Sequence, residues 1–231
     1  MDAALFAGLV ALSLLPPFLF ALNVRSQERH DREPVRAVVG TFLWGGTIGV
    51  IVALILHAFF AFGYQQSGAG LVLSTEMAAV LIAAPVVEEL AKGFGLRLPR
   101  RNIWELEDGI VYGAAIGLGF AATENLVYGI VALAEGGFSL AFGTVALRVI
   151  SAMLLHASAS AIVGYGYSRA RLGAGGLGIV AAYLLAVLLH AAYNFLVSLE
   201  VFYGVLMGIV LVATTMAAMR KTLTRLDRET W

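Results

Sequence analysis

Apolar stretches of about 20 residues recur along the whole chain, and each is long enough to cross a hydrocarbon layer of ~30 Å as a helix. Of the 231 residues, 60% are hydrophobic and 13% are charged, whereas soluble domains contain roughly 45–50% apolar and about 25% charged residues. The connections are short and leave no room for a soluble domain. The sequence therefore predicts an all-α, polytopic transmembrane helix bundle, with residues 1–231 as a single domain. The predicted spans, about seven in number, cover residues 3–23, 37–62, 72–96, 109–133, 139–168, 176–198 and 201–219.

The basic residues indicate how this bundle is oriented. Thirteen of the fifteen Lys and Arg residues lie in alternate connections (residues 24–36, 97–108 and 169–175) or after residue 219, and the other connections carry none. The positive-inside rule then predicts an outside N-terminus, a cytoplasmic C-terminus and an odd number of spans. We expect an integral, multi-pass membrane protein in contact with membrane lipid. Because the chain has no cysteine, thiolate nucleophiles and thiolate zinc sites are excluded.

A group of ionisable side chains lies inside the predicted spans, where one charge at mid-bilayer costs roughly 2.5–3.5 kcal/mol on translocon scales. The group consists of Glu88, Glu89, Lys92, Glu124, Arg148, His156 and His190. So many charges are tolerable only if they face one another or a wet cavity, and residues of this kind usually mark a functional site. A structural ion-pair network is the simpler alternative.

The third predicted span carries two adjacent glutamates and a lysine. Glu88 and Lys92 are spaced i, i+4, so they share a helix face and can pair. Glu89 points about 100° away on the same turn. Pro85 removes a backbone hydrogen bond and is expected to bend the helix just before the pair. Two carboxylates in different surroundings are a common basis for general acid–base catalysis.

The fourth predicted span contains a stripe of small residues that leads to another carboxylate. Gly109, Gly113 and Gly117 are spaced by four residues, a pattern that lets helix backbones approach closely in lipid. Glu124 follows Gly117 by two turns on nearly the same face, so we expect it to lie against a neighbouring helix. Asp108 is expected to cap the start of this helix.

Histidines occur in the next two predicted spans. Arg148 and His156 share one broad face of the fifth span, while His190 and Asn194 are spaced i, i+4 in the sixth. Two donors at i and i+4 on one helix are a common arrangement for binding one metal. Together with Glu124, these residues predict a three- or four-donor site without thiolates.

Helical depth is a test of this grouping. At 1.5 Å rise per residue, His156 lies about 20 Å and His190 about 22 Å from the arginine-rich edge of the bundle. Glu88 comes out shallower, at about 13 Å, and Glu124 deeper, at about 24 Å. The histidines agree, and helix bends near Pro85 or the glycines would have to bring the glutamates to the same level.

Four motifs in order resemble those of the PrsW family of intramembrane proteases, which are similar to the type II CAAX prenyl endopeptidases of the CPBP superfamily. The motifs are Glu88-Glu89 with Lys92 (EExxK), the stretch from Asp108 to Asn125 that ends Phe-Ala-Ala-Thr-Glu-Asn, His156 with Arg148 upstream, and His190 with Asn194 (HxxxN). The related endopeptidases carry FxxxH where this chain has Phe120 and Glu124, so the ligand there changes from imidazole to carboxylate. The resemblance covers roughly residues 80–198.

This resemblance implies hydrolysis of a peptide bond in or near the membrane by a metal- or glutamate-activated water. It implies a single-pass membrane protein as substrate, such as a membrane-anchored anti-sigma factor in site-1 cleavage, and no nucleic acid partner. The implied location is a prokaryotic plasma membrane. The resemblance implies that Glu88 and Glu89 activate water, with Asn194 as a further ligand or oxyanion donor. It implies that Glu124, His156 and His190 either bind zinc or orient the water directly, and that Lys92, Arg148 and Asn125 support the site.

Other functions are also compatible with buried carboxylates and histidines. A transporter or channel would use them as a proton or cation relay, although the sequence shows no matching halves. An inactive relative would be a scaffold. The chain has no HExxH motif, no pair of membrane aspartates and no second element for a serine dyad. His57 is a lone helical histidine, and we take it as structural.

Overall fold

The computed structural model describes residues 3–28, 30–66, 74–174, 178–199 and 202–229, and within these ranges the chain is helical and contains no strand. Three predicted spans begin at residues outside the described ranges, namely 72–73, 176–177 and 201. The expectation of an all-α polytopic bundle is confirmed.

Seven long helices follow one another in the described parts of the chain. In order they are α1 (Ala3–Arg25), α2 (Val35–Gln66), α3 (built from Thr75–Ala78, Ala79–Ala83 and Ala84–Phe94), α4 (Leu106–Ile150), α5 (Ala152–Leu172), α6 (Ile179–Ser198) and α7 (Phe202–Glu229). Short 3₁₀ turns at Gly95–Arg97 and Arg100–Asn102 connect α3 to α4. Except at the boundary between α4 and α5, these helices correspond one to one with the predicted spans.

Length and apolar character identify most of these helices as membrane-spanning. Among the described residues, five continuous stretches qualify: α1, α2, α4 together with α5, α6, and α7. The first part of α4 runs antiparallel to α5, so the continuous stretch formed by α4 and α5 crosses the bundle twice. Glu88, Glu89 and Lys92 make α3 too charged to qualify by composition. The number of seven spans and the orientation stay predictions.

The break at Gly136 and Gly137 lies in the connection predicted between the fourth and fifth spans, whereas the break at Ser151 falls inside the predicted fifth span. Gly136 and Gly137 have non-helical backbone angles, with φ +73° at Gly137, and they divide α4 into a long arm (residues 106–135) and a short arm (residues 138–150). A positive φ is readily adopted only by glycine. The span predicted over 139–168 is wrong as one continuous helix, because Ser151 (φ −115°, ψ −69°) interrupts it. The Ser151 hydroxyl donates to the Leu147 carbonyl (2.8 Å) and accepts from Tyr193 (2.8 Å), which fixes this break.

The long arm of α4 is the centre of the bundle, and its glycines lie directly against α5. A β-carbon on Gly113 would lie 2.2 Å from the Ser160 carbonyl oxygen, and one on Gly117 would lie 2.0 Å from that of His156. Backbone approach this close requires glycine, so the predicted role of the small-residue stripe is confirmed. Asp108 accepts from the Glu105 amide (2.8 Å) in a capping box, which confirms that it caps α4.

Two π-helical turns interrupt α2 and α3, at Gly45–Gly49 and Ala79–Ala83. A side chain from another helix donates to a carbonyl in each turn: Thr123 to Gly46 (2.6 Å) and Asn194 to Val80 (2.8 Å). Turns of this type are often found at functional sites. One of these turns ends two residues before Pro85, and the bend expected near that proline stays a prediction.

Candidate active site

The structure brings the predicted site residues into one connected cluster between four helices. They are Glu88, Glu89 and Lys92 on α3, Glu124, Asn125 and Arg148 on α4, His156 on α5, and His190 and Asn194 on α6. The glycine contact between α4 and α5 lies immediately beside this cluster, since Gly117 touches the His156 backbone.

Lys92 is the buried centre of the cluster. Its Nζ atom lies 2.6 Å from Glu89 Oε1, 2.8 Å from His156 Nδ1 and 4.7 Å from the centre of the Phe120 ring. The expected i, i+4 pairing of Lys92 with Glu88 is wrong. Lys92 pairs with Glu89 at i, i+3 instead, because its side chain extends towards α5, where the imidazole and the aromatic ring also stabilise the ammonium group.

Glu89 joins Lys92 to the histidine of α6. Its Oε1 atom accepts a second hydrogen bond, from His190 Nδ1 at 2.8 Å, and the side chain is fully buried. Because the carboxylate only accepts, the His190 proton is on Nδ1 and its Nε2 atom is left without a proton. Carboxylates that fix the tautomer of a histidine in this way are typical supports of metal-binding or catalytic imidazoles.

His156 connects Lys92 to Glu124 and so extends the hydrogen-bond network from α3 to α4. An ammonium group only donates, so His156 Nδ1 accepts from Lys92, and Nε2 carries the ring proton and donates to Glu124 Oε2 (2.7 Å). The same carboxylate oxygen lies 2.7 Å from Arg148 Nη2, and Arg148 Nε donates to Asn125 Oδ1 (3.0 Å). An unbroken series of polar contacts thus links α6 to the short arm of α4.

Glu88 is bonded differently from its neighbour. Its Oε2 atom is buried, has no hydrogen-bond partner among the described residues, and lies 3.9 Å from His190 Nε2. Its other oxygen lies 3.9 Å from His57 Nε2, which is likewise buried and unpartnered in the described structure. Sequence reasoning took His57 as structural. The position of His57 within a predicted span was the one sequence signal that it could belong to the site. A lone histidine, however, does not show which residues of other helices lie beside it.

A cavity of about 770 Å³ is lined by Glu88 together with His57, His156 and His190. Most of its lining is apolar, and residues of α2, α3, α4, α5, α6 and α7 contribute to it. Leu54 and Tyr128 line the cavity and are 63% and 47% exposed, so the cavity opens on the outer surface of the bundle. An apolar cavity with a few convergent polar groups is the usual form of a binding site.

Polar contacts hold α3 at this cavity. The Asn194 amide donates to the Val80 carbonyl in the π turn (2.8 Å), and the Tyr183 hydroxyl donates to the Val86 carbonyl (2.8 Å). Asn194 also lines the cavity. Its amide nitrogen is therefore used to position the helix that carries Glu88, and its predicted role as a ligand or oxyanion donor stays a prediction.

Three of these side chains are close enough to hold one metal ion. Donor atoms of Glu88, His156 and His190 all lie within 4.8 Å of one another. The unpartnered Glu88 Oε2 and the unprotonated His190 Nε2 fit a metal as they stand, whereas both nitrogens of His156 are already in contact, Nδ1 with Lys92 and Nε2 with Glu124. Glu124, the predicted third ligand, contacts His156 and Arg148 but is not in this group of donors.

A multi-pass helix bundle with paired carboxylates and imidazoles beside an apolar cavity has the architecture of an intramembrane hydrolase. A protein-family model described as PrsW family intramembrane metalloprotease matches residues 33–219. The chain therefore belongs to the PrsW family. It is an integral, multi-pass membrane peptidase of the prokaryotic cell membrane.

Individual relatives agree with this assignment. Protease PrsW of Geobacillus kaustophilus is 30% identical over 93% of this chain and 90% of its own length. Those of Clostridioides difficile and Bacillus subtilis are 25% and 28% identical, over 88% and 83% of this chain and 85% and 83% of their own lengths. No solved structure matches the chain. The family assignment favours the peptidase over the transporter alternative.

Proposed function

We propose that this chain cleaves a peptide bond of a single-pass membrane protein, and that Glu88 is the base that activates the attacking water. The observation that carries this proposal is the free carboxylate oxygen of Glu88, buried at the cavity and 3.9 Å from His190 Nε2. A separation of this size allows one water to bond to both atoms. Glu88 Oε2 would accept the proton of that water, and His190 Nε2 would orient it.

Glu89 is then a positioning residue. Both Lys92 and His190 donate to its Oε1 atom, at 2.6 and 2.8 Å. It holds the His190 ring with Nε2 turned towards the cavity and neutralises Lys92. The two adjacent glutamates, both predicted to activate water, thus take different parts: one contacts the water and the other orients the imidazole.

Zinc is the alternative occupant of this site: Glu88, His156 and His190 would hold it once His156 gave up one of its present contacts, and Glu88 would then be a ligand and not the base. Bound there, the metal would supply a Lewis acid that lowers the pKa of a coordinated water to about 7. The set predicted from the sequence contains Glu124, His156 and His190, so it has Glu124 where this group has Glu88. Measuring zinc in purified protein therefore distinguishes the sets: Glu88→Gln should reduce zinc content if Glu88 is a ligand, and Glu124→Gln if Glu124 is.

The test of the mechanism is cleavage of a single-pass substrate in proteoliposomes. We expect Glu88→Gln to lower the cleavage rate by roughly 10²–10⁴-fold, the usual contribution of a general base. Glu76→Gln is the matched control, because Glu76 lies exposed on the first turn of the same helix, and its rate should equal that of the wild type. A Glu88→Gln variant that folds and cleaves normally would overturn the proposal.

We further propose a membrane-anchored anti-sigma factor as the substrate. The opening of the apolar cavity on the surface of the bundle supports entry of a transmembrane segment from the lipid. Co-expression with an epitope-tagged anti-sigma factor should yield a shortened product that is absent with Glu88→Gln. Cleavage of other single-pass proteins at equal rates would argue against this substrate.

A further inference from the structure

A second cluster of carboxylates lies at the arginine-rich face of the bundle, away from the active site. Glu28 and Glu33 are in the connection between α1 and α2, and Asp108 is in the first turn of α4. All three are buried, with exposed fractions of 2%, 3% and 4%. An oxygen of each lies within 4.8 Å of the others. The connection and the central helix therefore meet at three acidic groups.

The hydrogen bonds of the two glutamates leave one oxygen of each unused. Glu28 Oε2 accepts from the Glu33 amide (3.2 Å), and Glu33 Oε2 accepts from the Tyr112 hydroxyl. Glu28 Oε1 and Glu33 Oε1 are buried and have no hydrogen-bond partner among the described residues. A buried carboxylate oxygen without a donor is costly, so each of these oxygens needs either a proton of its own or a cation.

The basic residues that the structure describes nearby do not supply that cation. Arg25 Nε donates to the Glu33 main-chain carbonyl, and Arg32 Nε to that of Glu28, both at 2.5 Å. Within the described ranges, no Lys, Arg or His nitrogen lies within 4.0 Å of the three carboxylates. Burial, together with the neighbouring acidic groups, raises the pKa of Glu28 to about 8 and that of Glu33 to about 9.

We propose that Glu28, Glu33 and Asp108 form a binding site for a hard divalent cation such as Ca²⁺ or Mg²⁺. All the donors are carboxylate oxygens, which these ions prefer, and the site contains no imidazole or thiolate that would favour zinc. Oxygens on opposite sides of Ca²⁺ are separated by twice a bond length of roughly 2.3–2.6 Å, so a spread within 4.8 Å suits one shared ion. The ion would bond to the unused oxygens.

A cation here would attach the α1–α2 connection to the start of α4. Asp108 already caps that helix, accepting from the Trp104 amide at 2.7 Å and the Glu105 amide at 2.8 Å. The same helix carries Glu124 further along. The site would thus stabilise the fold from the arginine-rich side, and it does not depend on the proposed catalytic mechanism.

The test is thermal unfolding of the full chain in detergent, first stripped with chelator and then titrated with Ca²⁺ or Mg²⁺. We expect a saturable rise in Tm, of roughly 5–10 °C at a hundredfold excess over Kd. Glu33→Gln and Glu28→Gln should each abolish most of the shift; in Glu28→Gln the amide oxygen can still accept from the Glu33 amide, so the connection can keep its shape. Glu88→Gln should keep the full shift, because it alters only the active-site donors.

Two results would overturn the proposal. The first is a wild-type Tm that neither ion changes, which would mean that the carboxylates share protons instead of a cation. The second is an ion-dependent shift that persists in both Glu28→Gln and Glu33→Gln. If either variant fails to fold, Mn²⁺ bound to wild-type protein and observed by electron paramagnetic resonance gives an independent readout. Ca²⁺ should displace that Mn²⁺, whereas an absence of bound Mn²⁺ would count against the site.

Discussion

Replacing Gly117 with alanine should push α4 and α5 apart at the level of the active site. The new methyl group would lie 2.0 Å from the His156 carbonyl oxygen, and ordinary contact begins at 3.4 Å. The two backbones must therefore separate by more than 1 Å. Overpacking of this kind costs roughly 1–3 kcal/mol, and the better helix propensity of alanine offsets up to ~1 kcal/mol of it. Since the displaced residue is His156, its contact with Glu124 is disturbed as well.

We expect a lower Tm in detergent and a cleavage rate in proteoliposomes reduced by up to about 10²-fold, because an error of 1 Å in the position of a catalytic group can have that effect. Gly143→Ala is the matched control. Gly143 lies on the short arm of α4, and a β-carbon there would meet no atom within 4 Å. If Gly117→Ala behaves like Gly143→Ala in both assays, the close approach of the two helices is not what positions His156.

Further predictions concern the polar contacts. Arg148→Met removes the cationic partner of Glu124 and should lower the free energy of unfolding by up to about 3 kcal/mol; an unchanged melting curve would contradict this. Asn194→Leu removes a hydrogen bond to α3 and should cost about 1–2 kcal/mol, with a fall in cleavage rate when both are measured on the same preparation. In chelator-treated protein, the folded state keeps protons on Glu28 and Glu33, whose pKa values are raised from 4.5 to about 8 and about 9. The unfolded chain releases these protons, so stability should fall by about 1.4 kcal/mol per pH unit for each group as pH rises from about 5 to about 8. Chemical unfolding at several pH values measures this, and a rise in stability over that range would refute it.

The helices and their small-residue contacts could be predicted because lipid permits few alternatives. Runs of apolar residues must be helices there, and a four-residue glycine spacing has one structural use in such helices. The stripe at Gly109, Gly113 and Gly117 is accordingly found against α5. The grouping of the intramembrane charges was predicted for the same reason, since buried charges must find one another.

Local irregularities could not be predicted from periodicity. The depth argument assumed straight α-helices, whereas a π turn at Ala79–Ala83 changes the rotation of α3 just before Glu88. Lys92 can reach Glu88 at i, i+4 or Glu89 at i, i+3 on an ideal helix. It pairs with Glu89 because its side chain also contacts His156 on α5. The carboxylates at Glu28, Glu33 and Asp108 lie in separate parts of the sequence, and only the fold shows that they meet.

The helix that carries Glu88 is held by directional contacts, while Ile82, Val86 and Leu90 on the same helix are exposed on the outer surface. Apolar contact gives little net attraction between helices in lipid, so those outward side chains have little influence on where the helix lies. They can therefore change among apolar types without moving Glu88, because the hydrogen bonds of Asn194 and Tyr183 to the α3 backbone stay in place. A library of apolar replacements at Ile82 and Leu90 should therefore keep both the wild-type melting temperature and the wild-type cleavage rate.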